Sequence, residues 1–575
     1  MKHLVTLVRS LLLVALLITT LSVGQARAQA PAWQTATPVA TAANVGYTVT
    51  ATVPDAAGTG LYVAGYFSGT VAMGGALLTS AGGNDLFVGK WNVANQRFVW
   101  VQRAGGTGND QALGLAVRGP NVYVSGVFVT TATFGALSVS SGGAADGFVA
   151  KLVDAGAATT FAWVLSVGGA NEDRATAVAV RGANVYLTGT FRSPTAILGS
   201  LILNNSTASG TAAGLAHIFI TKLDDAGPSA TFVWARALGG ATADDAAAAL
   251  AVTASGVYLA GDFSGNLNSG GNTLLTSSGG REAYVLKLAD SGNNATLAWA
   301  KKAGGPGPDG ATALAVNGAS VYVAGFFNGL AIFDISGVVS NGPVNAFVAK
   351  LTDAGASATF TWVQQAGGTG SDAAYALAVS GTDVYVAGGF SSAQATFDTT
   401  VLTNAAAPQF DVFVVRLADA GPASSFVWAQ RAGGSGNDLA VALSVLGSTV
   451  YVGGSATPPA TFGSLPALSS PAVVVGFLAS LLTSSPLATA TPAALAGLSL
   501  LPNPAHGTAT VQLPAVPGTA TATLTIIDAL GRTLRTQTAS PNARTELDLT
   551  GLVPGLYAVR VAAGAATATQ RLVVE

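Results

Sequence analysis

The chain has no cysteine among its 575 residues, so neither a disulfide framework nor a thiolate metal site can form. Histidine is almost as scarce: His3, His217 and His506 are too scattered for a paired-histidine zinc or haem site, or for a nucleophile activated by histidine. Charge is thin as well, with 25 Lys and Arg against 27 Asp and Glu, 9% of the chain, a formal net charge of −2 and no block of one sign. Without clustered basic residues to displace counterions from phosphate, nucleic-acid binding is excluded, as is a polybasic membrane patch. Past the first thirty residues no apolar run is long enough to span a bilayer; Ala472 to Leu482 is only eleven residues.

The first thirty residues read as an export signal. Lys2, His3 and Arg9 give a basic start, Leu11 to Val23 an apolar stretch, and Ala26-Arg27-Ala28 or Ala28-Gln29-Ala30 the small-residue cleavage pattern. An uncleaved anchor is the alternative, against which the shortness of the apolar run argues. The mature chain is then expected to begin near Gln29 or Pro31, without a transmembrane segment.

From there to about residue 483 a pattern recurs seven times. A tyrosine strand centres on Tyr62, Tyr123, Tyr186, Tyr258, Tyr322, Tyr385 and Tyr451, at spacings of 61 to 72 residues, and each follows a tryptophan strand. In one unit, Asp309 to Val316 alternates small and apolar residues, Asn317-Gly318 turns it into Ser320 to Phe326, and Asn345 to Leu351 and Ala358 to Gln364 follow. Four short strands in order make an antiparallel meander with two apolar faces, which must stack on its neighbours; stacking around an axis predicts a seven-bladed β-propeller. A linear solenoid is the rival, and the chain ends oppose it. Trp33 precedes the first unit with no strands of its own, while the last unit runs Tyr451 to Phe477 and lacks its tryptophan strand. The Trp33 strand is therefore expected to complete the last blade from outside and remove an exposed edge. Gly-Gly-x-x-x-Asp, Val-Tyr-Val-x-Gly and Asp-x-Phe-Val-x-Lys-Leu together resemble the bacterial SBBP-type β-propeller repeat, over residues 31–483; the resemblance implies the fold and no particular ligand.

Residues 484–497 form a Ser/Thr/Pro/Ala-rich linker, after which residues 498–575 read as a small β-sandwich. Pro502-Asn503-Pro504, Asp528-Ala-Leu-Gly-Arg532, Leu547-Asp-Leu-Thr-Gly-Leu552, Pro554-Gly-Leu-Tyr-Ala-Val-Arg560 and Arg571-Leu-Val-Val-Glu575 resemble the type IX secretion system C-terminal sorting domain. That resemblance implies handling by the type IX machinery through residues 498–575, passage through the periplasm, and delivery outside a Gram-negative outer membrane, often with attachment to surface polysaccharide.

Candidate chemistry is sparse. One aspartate recurs after each glycine pair, at Asp110, Asp173, Asp244, Asp309, Asp372 and Asp438. A ring of carboxylates suits Ca²⁺, the one cofactor the sequence raises; the plainer reading is that each caps a turn by accepting a backbone N–H, since a residue in every repeat most simply serves the repeat. Lys90, Lys151, Lys222, Lys287 and Lys350, with Arg416, also recur, and read as packed stems with solvated heads. His217 stands where other units carry Asp146, Glu282 or Asp411, and reads as a surface position. The Trp and Tyr sets read as core between units rather than as a sugar platform. The largest break in the repeat lies in the third unit, where Tyr186 and Phe219 are 33 residues apart against 25 to 28 elsewhere. Its extra loop makes Asn204, Asn205, Ser206 and Thr207 the candidate ligand contacts, unless the insertion is inert. No catalytic set emerges. The functional expectation is an exported binding protein for a glycan, protein or matrix component; a polysaccharide-degrading enzyme, which would need paired carboxylates in a pocket, and a purely structural or adhesive surface protein are the alternatives.

Overall fold

In the computed structural model the described residues are 30–575, apart from 208–213, 335, 484–494, 496, 517–518, 529–531 and 564–565. The export signal, most of the linker and part of the third-unit loop lie outside them. The described residues are all-β, and the chain divides into two compact units, Met1–Ser485 and Pro486–Glu575.

Among the described residues, the first unit repeats a four-stranded antiparallel arrangement, numbered first to seventh along the chain; Arg97–Gly106 pairs with Asn121–Phe134 and joins the first two into one eight-stranded sheet, and the sixth gains a fifth strand, Ala460–Phe462. In the fifth, the strands Gly310–Asn317, Ser320–Phe327, Asn345–Asp353 and Ala358–Ala366 lie side by side in chain order. Its first hairpin turns at Gly318 with φ +60°, which glycine adopts without steric cost. The seventh sheet borrows its fourth strand from the N-terminus: Trp33–Pro38 pairs antiparallel with Val475–Leu482. The exchange is the expected one, but the register is not. Trp33 faces Leu481 and Thr35 faces Ser480, whereas in other sheets the tryptophan faces the lysine position, as Trp163 faces Lys151. Trp33 therefore occupies the site of Phe161, edge-on to Phe462 at 5.1 Å, and Thr35 takes the tryptophan's place.

Every innermost strand carries a β-bulge near its start, as between Ala175 and Ala177 or Ala374 and Ala376, which adds twist where the sheets converge. Each innermost strand packs against the next, and the seventh, Leu439–Leu446, packs against the first, Tyr47–Pro54. A single cavity of about 250 Å³ is lined by three residues from each of these seven strands. Between second and third strands short ribbons form, such as Thr195–Leu198 with Leu201–Asn204 and Leu330–Phe333 with Ser336–Val339. The ribbons exist because alternate residues, Ala196 and Leu198 or Ala331 and Phe333, tuck into the core.

The second unit is two facing sheets, Ser499–Leu501/Thr508–Gln512/Arg544–Asp548 and Thr533–Ala539/Ala522–Ile527/Gly555–Ala563/Ala566–Val574, around Leu500, Val511, Leu524, Ile526, Leu547 and Val559.

Candidate functional site

The recurrent aspartates sit at turns and do not converge on one another. Asp309 accepts from Gly305 N at 2.7 Å and from Asn328 N at 3.0 Å, tying the glycine turn to the end of the second strand. Asp110, Asp173, Asp372 and Asp438 repeat the arrangement, and all five are buried. The turn needs its glycine: Gly304 has φ +145°, and a Cβ there would lie 2.5 Å from Asp309 Oδ2. Burial, against two backbone amides, pushes the Asp309 and Asp438 carboxyls up to about 6. In the third unit the turn residue is Asp245, not Asp244, because the loop has one extra residue between glycine and acid. Asp245 accepts from Gly240 N and Ser264 N, while Asp244 accepts from Ala216 N and pairs with Arg192. Among the described residues no three His, Cys, Asp or Glu side chains gather as a metal site.

The recurrent lysines do not have solvated heads. Lys287 Nζ donates to Asp353 Oδ2 of the next sheet at 2.7 Å; Tyr258 Oη donates to the same oxygen at 2.6 Å and Trp299 Nε1 to Oδ1 at 2.9 Å. The same latch joins Tyr62, Lys90 and Trp100 to Asp154; Tyr123, Lys151 and Trp163 to Asp225; Tyr186, Lys222 and Trp234 to Asp290; and Tyr322, Lys350 and Trp362 to Asp419. Burial alone would raise the Asp353 carboxyl, but these donors outweigh it and hold it at about 2. The tyrosines and tryptophans are thus latch and core between sheets. The signal that could have revealed the latch is Lys-Leu-x-Asp, whose acid faces the previous unit's lysine rather than its own.

A second charge pair stands at the start of the third strand in the first, fourth and sixth sheets: Arg103 on Asp85, Lys302 on Glu282 and Arg431 on Asp411. The third sheet has His217 for the acid and Ala237 for the cation, the two positions set by the Phe219–Ala237 register. His217 is not at the surface. It is 4% exposed, edge-on to Phe191, with Nε2 3.1 Å from Gly240 O. Burial lowers its pKa, outweighing the Gly240 carbonyl, so the ring is neutral at neutral pH.

Removing the cation opens a cavity of about 450 Å³, lined by Asn204, Ser206, His217, Asn266, Asn268 and Thr273, with the Gly239-Gly240 and Gly270-Gly271 backbones. Of the four predicted loop residues, Asn204 and Ser206 line it. Asn205 and Thr207 hold the loop instead: Asn205 Nδ2 donates to Leu215 O at 2.8 Å, and Thr207 Oγ1 donates to Asn205 Oδ1 at 2.7 Å. Asn266 and Asn268 accept at Oδ1 from Thr276 and Thr273, leaving their amide N–H groups toward other partners. The polar part of the lining is amide, hydroxyl, neutral imidazole and backbone, with Ala237, Leu238 and Ala241 beside it and no charged side chain.

Elsewhere, Asp146 and Asp173 approach each other beside Gly168, but both are sealed from solvent, which leaves no room for a substrate. The central cavity is uncharged, and Thr50, Thr176 and Thr312 spend their hydroxyls on Ala112, Ala247 and Ala374 carbonyls of adjacent strands.

The family described as a secretion system C-terminal sorting domain matches residues 499–575. No curated protein matches the chain. Among solved structures, the Trypanosoma rangeli sialidase in complex with sialic acid matches with 9% identity over 82% of this chain and 84% of its own, at a TM-score of 0.29, a likeness too slight to bear on function. The sorting domain marks the chain for secretion to the cell surface or extracellular space and for handling by the type IX machinery. Among the described residues no helix is long and apolar enough to cross a membrane.

Proposed function

We propose that residues 31–483 are a seven-bladed β-propeller of the SBBP type that binds an uncharged, hydroxyl-rich ligand, a neutral glycan, outside the cell. Residues 1–30 direct export to the periplasm, and residues 498–575, after the linker 484–497, carry the protein across a Gram-negative outer membrane. The aspartates of the glycine turns act as backbone anchors in this reading, with no requirement for Ca²⁺.

The observation that carries the ligand class is the third-sheet cavity, where the repeat's acid and cation give way to His217 and Ala237 and the lining becomes uncharged and mostly polar. Amides and hydroxyls match the alternating donors and acceptors of a sugar, and a neutral imidazole adds one more donor–acceptor pair. The lining offers no cation to compensate an anionic ligand and no carboxylate pair for glycoside hydrolysis.

The test is titration calorimetry of the full mature chain with neutral and uronate-containing polysaccharides, with calcium and with chelator. Binding of neutral polymers, unchanged by chelator and weakened at least tenfold by the H217D/A237K double variant, is the expected result. Binding that survives the restored acid–cation pair would place the ligand elsewhere, and absence of binding to every polymer would favour a structural role.

A further inference from the structure

We infer that the fifth sheet holds a second site for the same class of ligand, which rests on the reading of the third-sheet cavity. The two positions are equivalent by register: Phe347 faces Gln365 as Phe219 faces Ala237, and Gly367 bridges Thr396 as Gly239 bridges Asn268. In the first, fourth and sixth sheets this position is filled by an ion pair. In the fifth, Asn345 replaces the acid and Gln365 the cation, and a cavity of about 250 Å³ opens, lined by Asn341, Asn345, Gln364, Gln365, Thr396 and Asp398.

Two features of this cavity point to a ligand. Asn345 is 1% exposed, and with its amide turned so that nitrogen faces them it donates to the Gly368 and Val344 carbonyls at 3.2 and 3.1 Å, a buried neutral group where an acid would need a cation. Gln365 Oε1 is buried and has no hydrogen-bond partner. A buried acceptor without a donor is rare in native proteins, and rotation of the Gln365 amide into the cavity it lines would bring that oxygen to a donor carried by a ligand. A sugar hydroxyl is such a donor, and its oxygen accepts in turn from an amide N–H. The Asp398 carboxylate at the rim repels an anionic sugar, so the site selects neutral polyols as the third-sheet cavity does.

Repetition of one site on one rigid scaffold has a consequence for a repeating ligand. A polysaccharide long enough to reach both sites binds the second from an effective local concentration, so the polymer is held roughly 10²–10⁴-fold more tightly than a short oligosaccharide of the same sugar.

The experiment counts sites. Neutral hexasaccharides of glucose, mannose and xylose are titrated in turn into the full mature chain, into H217D/A237K, and into N345D/Q365K, whose charge pairs copy the acid and lysine of the fourth sheet. Because N345D/Q365K alters buried residues, T396A/D398N, at two exposed rim positions, is titrated beside it. Two molecules per chain in the wild type, and one in each of the three variants, is the expected result. One molecule per chain, lost in H217D/A237K and kept in both fifth-sheet variants, overturns the second site while the third-sheet reading stands. One molecule lost only in the fifth-sheet variants upholds the fifth-sheet site and removes the third. No binding of any hexasaccharide overturns both.

Discussion

Asp353→Asn tests whether the buried latch between sheets holds the first unit together. The side chains of Lys287 and Asp353 are 5% and 4% exposed, so the pair has exchanged water for each other and for Tyr258 and Trp299. Asparagine keeps the shape but leaves the ammonium buried without a counter-charge, a loss of about 3–5 kcal/mol. Adding Lys287→Met removes the stranded charge while keeping an unbranched stem. What remains is one or two weakened hydrogen bonds from Tyr258 and Trp299, about 1–2 kcal/mol. The double variant is therefore expected to be more stable than D353N alone by about 2 kcal/mol, from the difference of those two costs. Guanidinium unfolding followed by tryptophan fluorescence reads both. A double variant as unstable as D353N refutes the argument, because the damage would then lie in the lost acceptor and not in the unpaired charge.

Thr483→Asp supplies at the sixth interface the acceptor that the other latches have. Trp428 Nε1 and Arg416 Nε are buried there without partners, and a gain of about 1–3 kcal/mol in unfolding free energy is expected; no gain would mean the new carboxylate misses both. Stability is also expected to pass through an optimum between about pH 4 and 5.5, read from melting temperatures across pH 2–8. Asp146, Asp245, Asp262, Asp309 and Asp438 sit at about 6, above the unfolded 3.8, so folding takes up protons and strengthens as pH falls from 7 toward 5. Asp353 sits at about 2, below its unfolded value, so its contribution is complete above about 4 and is lost as pH falls toward 2; a curve rising steadily with pH contradicts the raised set, and one falling steadily contradicts Asp353. Asp245→Ala should cost about 2–3 kcal/mol by stranding the Gly240 and Ser264 amides, against about 1–2 for Asp244→Ala, which loses a half-exposed pair and strands only the Ala216 amide; a larger loss from Asp244→Ala would reverse the turn assignment.

Strand order was legible because each strand carries its own local pattern: the Asn317-Gly318 turn, the Val-Tyr-Val run and the Phe-Val-x-Lys run are each read within ten residues. The latch was not, because its partners are a period apart; Lys287 and Asp353 are separated by 66 residues, and only the stacking of sheets makes them neighbours. Asp244 was mistaken for Asp245 because two adjacent acids follow a turn lengthened by one residue, and composition alone cannot choose between them. His217 read as exposed by analogy with charged residues in other units. Those acids are themselves buried, each beside a cation or a turn amide that the local pattern does not reveal. The length of the insertion pointed to Asn204 and Ser206, which line the third-sheet cavity; the cavity at Asn345 breaks no spacing and leaves only the loss of charge as a sign.

The five complete latches and the two incomplete ones follow the path of the chain. Each latch takes its acid from the third position after the next unit's lysine, or after Arg416 in the sixth, at Asp154, Asp225, Asp290, Asp353 and Asp419. The corresponding residue is Thr483 in the seventh sheet and Val93 in the first, so both interfaces of the seventh sheet lack the acid. At the first of them Arg416 turns to Asp383 of its own sheet; at the second, Ser480 and Thr35 replace lysine and tryptophan and meet hydroxyl to hydroxyl at 2.7 Å. What joins these sheets is one apolar cluster running from Tyr385 and Trp428 through Val450 and Phe477 to Trp33, Val49 and Phe67. The difference is physical. A buried ion pair is strongly destabilising when one partner is out of place, whereas apolar contacts tolerate repacking at modest cost. The seventh sheet is assembled from both ends of the repeat region, with Trp33–Pro38 laid on Val475–Leu482 two residues out of the usual register, and only the tolerant kind of contact accommodates that shift.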